Sequence, residues 1–214
     1  MTQPHPHRTH RGILAGSVIL FLGVLNGVPT AQAAVNCVTS FGVTQTETTV
    51  TGTAANDTIA CGGALPGKTI NGGNGNDTIT GTAFIDTING EGGNDTITGT
   101  IGDDIVNGGL GDDTMTGSAG NDRMSGGDGN DTMTGSEGDD TLNGDGNDDT
   151  LNGGTGNDAL NGGPGVDILK GDAGNDSLTG PPTDTSVDDV NGGADTDACQ
   201  GPGSDRDVLV GCNP

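Results

Sequence analysis

The residues with the clearest chemical potential in this sequence are aspartates that recur every nine positions. Between Gly72 and Thr179 the chain divides into twelve consecutive nine-residue units without insertion or deletion, and the sixth residue of every unit is Asp. These residues are Asp77, Asp86, Asp95, Asp104, Asp113, Asp122, Asp131, Asp140, Asp149, Asp158, Asp167 and Asp176. Carboxylate and backbone carbonyl oxygens are the ligands of hard cations. The spacing therefore predicts a row of cation sites.

Glycine occupies the first position of all twelve units and the fourth position of most of them. We expect the first six residues of a unit to form a tight turn, with Gly at positions one, two and four taking positive φ. The carbonyls of such a turn point inward as ligands. The glycines predicted to line metal sites are Gly72, Gly75, Gly90, Gly108, Gly111, Gly126, Gly129, Gly153 and Gly156.

The last three residues of a unit, such as Thr78–Thr80, predict a short strand whose middle side chain faces opposite to its neighbours. That middle residue is Ile, Val, Leu or Met in every unit. A three-residue strand is not stable alone, but stacked units pair each strand with its equivalent one coil above and below. Two units per coil place strands on two sides, with the aliphatic side chains meeting between them.

The charge balance indicates which cation holds the turns. Residues 72–179 contain 21 Asp and Glu against Arg123 and Lys170, so stacked turns repel each other unless cations lie between them. Ca²⁺ accepts six to eight oxygens in flexible geometry, whereas Mg²⁺ demands an octahedron. Zn²⁺ is disfavoured because the array has no His or Cys. Two alternatives are a metal-free solenoid in which Asp is only a turn residue, and a disordered acidic linker.

The predicted calcium ligands are Asp77, Asp95, Asp104, Asp113, Asp122, Asp131, Asp140, Asp149, Asp158, Asp167, Asp176 and, in a later unit, Asp197. Asp86 is left out because Phe84 and Ile85 stand where Gly and a polar residue belong. Two turns stacked on the same side would complete one site. Without calcium we expect a disordered chain, because metal binding would supply the folding free energy.

Units such as GGNGNDTIT (72–80), GGLGDDTMT (108–116) and GGDGNDTMT (126–134) resemble the RTX (hemolysin-type) calcium-binding nonapeptide repeat family, with its pattern G-G-x-G-x-D-x-U-x. The resemblance extends over about Gly52 to Cys212. It implies an all-β fold, a parallel β-roll that is a two-sided right-handed β-solenoid stabilised by Ca²⁺ in the turns. Family toxins use a C-terminal export signal, whereas this chain has an N-terminal one, so toxin biology is not expected of it.

Residues 1–33 are typical of a secretory signal peptide. Arg8 and Arg11 precede an apolar run, Gly12–Val28, and Ala31-Gln32-Ala33 is a small-residue cleavage site. The remaining predicted boundaries are an N-terminal cap at 34–51, a repeat domain at 52–211 and a C-terminal end at 212–214. We expect a secreted, extracellular protein with no membrane insertion after cleavage.

Composition narrows the classes of function. Removing Arg8 and Arg11 takes the formal net charge from −24 to −26, which argues against nucleic acid and anionic membranes as partners. All three His lie within residues 1–33, so no His-based catalytic group remains, and a thin solenoid offers no pocket for paired acids. We therefore expect a protein that is not an enzyme; a protein or glycan partner stays unspecified.

The four cysteines suit two disulfides in an exported protein. Sequence alone allows three pairings. In a solenoid the chain ends lie far apart, which leaves Cys37–Cys61 and Cys199–Cys212, each closing a terminal coil.

Outward-facing threonines suggest a second function. On every second unit positions seven and nine are both Thr, giving Thr78, Thr80, Thr96, Thr98, Thr114, Thr116, Thr132 and Thr134. Such a flat array resembles the T-x-T face of β-solenoid ice-binding proteins and could also meet polysaccharide. The sequence thus predicts a secreted calcium-binding repeat protein that folds on Ca²⁺ binding, with a structural or cell-surface role; the alternative is a recognition surface. Thr is also simply a good strand former.

Overall fold

A computed structural model describes residues 37–64, 66–180, 189–200 and 208–213. All of them belong to one compact unit, Ala34–Pro214. The predicted signal peptide lies outside the described residues. Within those ranges the chain is all-β, and a helix that could span a membrane is not found there.

Short strands follow one another along the described chain, and from β5 to β17 they begin at nine-residue intervals. In order they are β1 Val38–Thr39, β2 Thr44–Gln45, β3 Thr49–Thr51, β4 Thr58–Ala60, β5 Thr69–Asn74, β6 Thr78–Thr80, β7 Thr87–Gly92, β8 Thr96–Ile101, β9 Ile105–Leu110, β10 Thr114–Ala119, β11 Arg123–Asp128, β12 Thr132–Glu137, β13 Thr141–Gly146, β14 Thr150–Thr155, β15 Ala159–Asn161, β16 Ile168–Ala173, β17 Ser177–Thr179, β18 Asp189–Gly193, β19 Ala198–Gln200 and β20 Val208–Val210.

The strands form two sheets that take alternate strands of the chain. The first sheet has the order β1-β4-β6-β8-β10-β12-β14-β16-β18-β20, and the second has the order β2-β3-β5-β7-β9-β11-β13-β15-β17-β19. Pairing is parallel with a register of eighteen residues through the array, so that Met115 lies between Ile97 and Met133. The predicted parallel β-roll is therefore confirmed, with two nonapeptides per coil.

The aliphatic residue at position eight of each unit is the core. These side chains are at most 3 % exposed and form one cluster to which the two sheets contribute alternate members: Ile79, Ile88, Ile97, Val106, Met115, Met124, Met133, Leu142, Leu151, Leu160, Leu169 and Leu178. One core side chain per nine residues is a thin interior, so apolar burial alone gives each coil little stability.

Most strands of the array are twice as long as predicted. β8, for example, continues from Thr96–Thr98 through Gly99 to Ile101. The prediction of three-residue strands was wrong because positions one to three also pair with the next coil, as in Ser118 with Thr100 and Ser136. The turn proper is therefore confined to positions four to six.

The N-terminal coil is closed by antiparallel strands and a disulfide. β1 pairs antiparallel with β4 and β2 with β3, whereas β3 already pairs in parallel with β5. The structure contains the disulfides Cys37–Cys61 and Cys199–Cys212, which are the two pairs favoured by the sequence. Each disulfide therefore joins elements at one end of the described stack.

Candidate metal centre

The position-six aspartates form two buried columns, one on each edge of the roll. In the first column the turns lead from the second sheet to the first, and its members are Asp57, Asp77, Asp95, Asp113, Asp131, Asp149 and Asp167. In the second column the turns lead back, and its aspartates are Asp86, Asp104, Asp122, Asp140, Asp158, Asp176 and Asp197. Each of these residues is at most 4 % exposed.

Within a column, each aspartate fixes the next by a hydrogen bond between coils. The backbone N–H of Asp95 donates to Oδ1 of Asp113 at 2.7 Å, and the N–H of Asp113 donates to Oδ1 of Asp131 at 2.8 Å. The carbonyl of Asp95 accepts the N–H of Thr114, also one coil later. The same ladder reaches Asp167, whose Oδ1 accepts the N–H of Asp149 at 2.9 Å. Each carboxylate is thereby held in one orientation.

The second carboxylate oxygen is the unusual one. It is buried and finds no hydrogen-bond partner among the residues that the structure describes in Asp77, Asp95, Asp104, Asp113, Asp122, Asp131, Asp140, Asp149, Asp158, Asp176 and Asp197. A buried ionised oxygen without a partner is strongly unfavourable. Its recurrence at one register position in both columns indicates a ligand that the protein atoms alone do not supply.

A backbone carbonyl lies beside most of these oxygens, namely those of Asp77, Asp95, Asp104, Asp113, Asp131, Asp140, Asp149 and Asp176. A methyl carbon placed on Gly108 would lie 2.2 Å from Oδ2 of Asp113 and 2.7 Å from the carbonyl oxygen of Gly126. Both oxygens therefore approach the same side of Gly108. The carbonyls of Gly90, Gly108, Gly126 and Gly153, all predicted ligands, occupy this place beside the aspartate of the preceding coil.

Glycine at position one is consequently required for space and not for backbone conformation. Gly72, Gly90, Gly108, Gly126 and Gly153 do not have positive φ, so that part of the prediction was wrong. Positive φ occurs at positions two and four, as in Gly109 and Gly111. Position four also lacks room for a side chain, because a methyl carbon on Gly129 would lie 2.1 Å from the carbonyl oxygen of Gly111. The predicted position-four residues Gly75 and Gly156 have positive φ as well.

Burial raises the pKa of most carboxyls in the array, and neighbouring carboxylates in the same column raise several of them further. The raised groups are Asp77, Asp95, Asp104, Asp113, Asp122, Asp131, Asp140, Asp149, Asp158 and Asp176. The pKa rises to about 7 for Asp104, Asp113 and Asp149. It rises to about 6 for Asp95, Asp140 and Asp158. Ionisation of these carboxyls is therefore less favourable in the folded protein alone than in the unfolded chain. A cation between the turns would reverse this effect, because an opposite charge favours the ionised form.

Asp57 and Asp86 depart from this pattern. Oδ2 of Asp86 accepts the backbone N–H of Thr82 at 2.5 Å, and Oδ1 accepts the Thr82 hydroxyl at 3.1 Å. Oδ2 of Asp57 likewise accepts the N–H and hydroxyl of Thr53, at 2.6 and 2.9 Å. These hydrogen bonds already satisfy both carboxylates. The sequence analysis left Asp86 out of the predicted ligands because Phe84 replaces the glycine of that turn. The structure gives a different reason, which is that Thr82 already donates two hydrogen bonds to the Asp86 carboxylate.

A further ladder runs through position five, and the sequence analysis missed it. The side-chain oxygen of Asn94 accepts the backbone N–H of Asp112, and that of Asp112 accepts the N–H of Asn130, at 3.2 and 2.9 Å. The recurrence of Asn or Asp at this position was the signal that could have revealed it. These exposed oxygens hold successive turns in register outside the buried columns.

The oxygen set fits calcium. Within the described ranges, no three His, Cys, Asp or Glu side chains come together as a ligand group, so a bound ion must take carbonyl oxygens as well as carboxylates. Mixed carbonyl and carboxylate ligation is typical of Ca²⁺ and unlike a Zn²⁺ site. The fold and these columns define a calcium-binding β-roll.

Comparison with protein-family models agrees with the assignment of a calcium-binding β-roll. The model of the RTX calcium-binding nonapeptide repeat, which spans four copies, matches residues 71–106, 80–115, 98–133, 107–142, 125–160 and 143–178. Together these matches cover half of the chain, which therefore belongs to the RTX calcium-binding nonapeptide repeat family. The search of curated proteins gave no match.

The predicted threonine face lies on the first sheet. Cross-strand pairing aligns Thr78, Thr96, Thr114 and Thr132 in one row and Thr80, Thr98, Thr116 and Thr134 in another. The first row is exposed and the second is partly buried. On the second sheet the corresponding positions are mixed, with Ile105 beside Arg123. The eight residues thus share one surface, apart from both metal columns.

Proposed function

We propose that this chain is a secreted calcium-binding repeat protein that folds when calcium binds, with a structural or cell-surface role outside the cell. The observation that carries the proposal is the buried Oδ2 without a partner, which recurs beside a glycine carbonyl of the next coil. One ion at this place would neutralise the carboxylate and join two coils.

Folding on calcium binding follows from the balance of charge and core. Residues 72–179 carry 21 acidic and two basic side chains, a formal net charge of −19. The apolar core contributes one side chain per nine residues. Because ligands and folded turns form together, the free energy of ion binding becomes free energy of folding.

Secretion is supported by the sequence of residues 1–33, which is typical of a signal peptide. The two disulfides are consistent with an oxidising compartment outside the cytosol. We propose no enzymatic activity, because residues 34–214 contain no His and the columns are built as cation sites.

Calcium titration of the metal-free protein tests the proposal. Circular dichroism should show a coil-to-β transition on adding Ca²⁺, and Mg²⁺ at the same concentration should produce little change. A protein that is β-rich in excess chelator, or that remains unfolded in millimolar Ca²⁺, would contradict calcium-dependent folding. Export is tested separately, by sequencing the N-terminus of the protein recovered from the medium; residue 34 is expected first.

A second candidate function is recognition of ice or polysaccharide by the threonine face. It is favoured by the in-register rows on the first sheet. Thermal hysteresis and glycan-array binding of the calcium-loaded protein test it. Thr114→Tyr should abolish any activity, whereas Thr141→Tyr, at an equally exposed position of the second sheet, should not. Blank assays with the folded protein would eliminate this function.

A further inference from the structure

The first turn of the second column, which leads from β4 to β5, contains a lysine where later turns have aspartate. Lys68 precedes Thr69 as Asp86 precedes Thr87, and the two threonines are paired between β5 and β7. The N–H of Lys68 donates to Oδ1 of Asp86, the same bond that joins successive aspartates. Lys68 is 5 % exposed, and its ammonium donates to the carbonyl of Glu47. A fixed positive charge thus lies in this turn.

The first turn of the other column, residues 52–57, is also complete without an ion. Both oxygens of Asp57 are occupied, Oδ1 by the hydroxyl of Ser40 at 2.6 Å and Oδ2 by Thr53. Burial is the largest single influence on the pKa of Asp57 and acts to raise it, but the hydrogen bonds from Ser40 and Thr53 together outweigh burial and lower the pKa. The carboxylate therefore needs no cation for stabilisation.

The backbone distinguishes the two kinds of turn. At position two, turns with a partnerless carboxylate oxygen have positive φ, as in Glu91, Thr100 and Ser118. Thr53 and Thr82 do not have positive φ, and their N–H groups donate to the aspartate of the same turn. Asp77, whose Oδ2 has no partner, belongs with the first kind. The turn of Asp57, and within the array that of Asp86, is therefore built differently from the turns whose aspartate oxygen has no partner among the described residues.

Charge and cross-linking add to this difference. Residues 37–71 contain Glu47, Asp57 and Lys68, a formal net charge of −1, against −19 for residues 72–179. The segment includes the antiparallel pairs β1–β4 and β2–β3 and is closed by the Cys37–Cys61 disulfide. A segment of this size generally needs such a cross-link to fold.

We propose that residues 37–71 fold without calcium and present β4 and β5 as the template on which the calcium-dependent coils assemble. This inference rests on the proposed calcium-dependent folding of the array. Lys68 and the hydroxyls of Ser40 and Thr53 do in this coil what the ion does in later coils. Calcium binding then adds coils to a roll that has already formed, and this avoids the unfavourable nucleation of isolated repeats.

Hydrogen exchange read by mass spectrometry, on the chain with both disulfides formed, tests this proposal. In chelator, amides of β3, β4 and β5 should exchange at least about tenfold more slowly than in urea, while those of β8 to β14 exchange as unfolded chain. In calcium all should be protected. If the N-terminal amides exchange freely in chelator and gain protection at the same calcium concentration as the array, the template is overturned. If the array is protected in chelator, or unprotected in calcium, the proposed function fails instead.

Lys68→Asp supplies the sharper comparison, since it restores the consensus residue. The protection of β3 to β5 in chelator should fall at least about tenfold and return with calcium. Lys170→Asp makes the same charge change at an exposed strand position and should leave that protection unchanged. If Lys68→Asp fails to fold even in calcium, Thr53→Val and Thr53→Ser take its place. Only Thr53→Val, which removes the hydroxyl that donates to Asp57, should lose the protection of β3 to β5 in chelator. Wild-type protection in Lys68→Asp or Thr53→Val would overturn the roles assigned to these residues.

Discussion

Replacing a single column aspartate by asparagine should affect the protein in opposite directions with and without calcium. Asp113 is 1 % exposed, its Oδ1 accepts the N–H of Asp95, and its Oδ2 has no hydrogen-bond partner in the described part of the chain. In Asp113→Asn the amide oxygen can keep the hydrogen bond from Asp95, while the charge and the free anionic oxygen are lost. The variant therefore separates two effects of the Asp113 carboxylate: the free energy that its buried charge costs the metal-free roll, and the contribution of its oxygen to calcium binding.

The magnitude follows from the raised pKa. Burial, followed by the charges of Asp95 and Asp131, raises the pKa of Asp113 from 3.8 to about 7. Ionising this group at pH 7.5 costs the metal-free roll on the order of 2–4 kcal/mol; the upper figure corresponds to the full pKa difference and the lower allows for solvent screening. Such a cost is a large fraction of the stability of an ordinary domain. Asp113→Asn should remove it in chelator.

In calcium the same substitution removes an anionic ligand. The calcium concentration at the midpoint of the dichroism transition should rise at least about tenfold, because ligand charge sets calcium affinity. In chelator, folding can be driven with trimethylamine oxide, which favours burial. There the variant should fold at a lower osmolyte concentration than the wild type.

Asp112→Asn is the matched control, since it makes the same charge change on the exposed neighbouring residue. It should move both midpoints little. If Asp113→Asn raised the osmolyte midpoint as well as the calcium midpoint, the carboxylate would be a structural hydrogen-bonding group, and the assignment of Oδ2 to an ion would be refuted.

Three further predictions concern pH, space and the C-terminal end. Because the pKa values of the buried aspartates are raised in the folded state, the metal-free roll binds more protons than the unfolded chain. It should therefore lose stability as pH rises from about 4 to 7. Osmolyte-driven folding in chelator at several pH values measures this stability, and a result independent of pH would contradict the prediction. The calcium-loaded protein should show the opposite trend, since protons compete for the ligands. Gly108→Ala should lower the melting temperature in calcium sharply, because its methyl group would overlap Asp113 and Gly126. Gly146→Ala should be tolerated, because the nearest atom to its methyl group would be 3.9 Å away. Equal effects of the two substitutions would refute the argument that position one has no room for a side chain. Cys199→Ser should destabilise the last coil by roughly 3 kcal/mol, seen as faster hydrogen exchange in β19 but not in β8.

The nine-residue period was sufficient to predict much of the fold. Once units stack by translation, register and core follow together, and the line from Ile79 to Leu178 is the predicted one. The split between turn and strand was wrong because it was judged from one isolated unit. Pairing of Ser118 with Thr100 and Ser136 depends on neighbouring coils, and no single unit contains that information.

The site was predictable in its residue types and less so in its individual turns. Asp at position six could be assigned from recurrence, but the sequence does not show which oxygen is already satisfied. Thr82 and Thr100 both follow a position-one glycine, yet only Thr82 bonds the aspartate of its own turn. The role of Lys68 was hidden by the longer unit around it, 61–71, whose alignment with later turns becomes clear only from strand pairing.

The hydrogen-bond ladder explains why a single ion should influence more than one coil. Each Oδ1 is held by the aspartate of the preceding coil, so the direction of every free Oδ2 depends on its neighbours in the column. Ordering one turn therefore places the ligand oxygen of the next, and the favourable free energy of each ion is shared along the column. The same coupling makes a metal-free column collectively unfavourable, because the like charges are held in register. We therefore propose that calcium binding and coil stacking are one process in this roll, and that it begins at the coil in which Lys68 and Thr53 replace the ion.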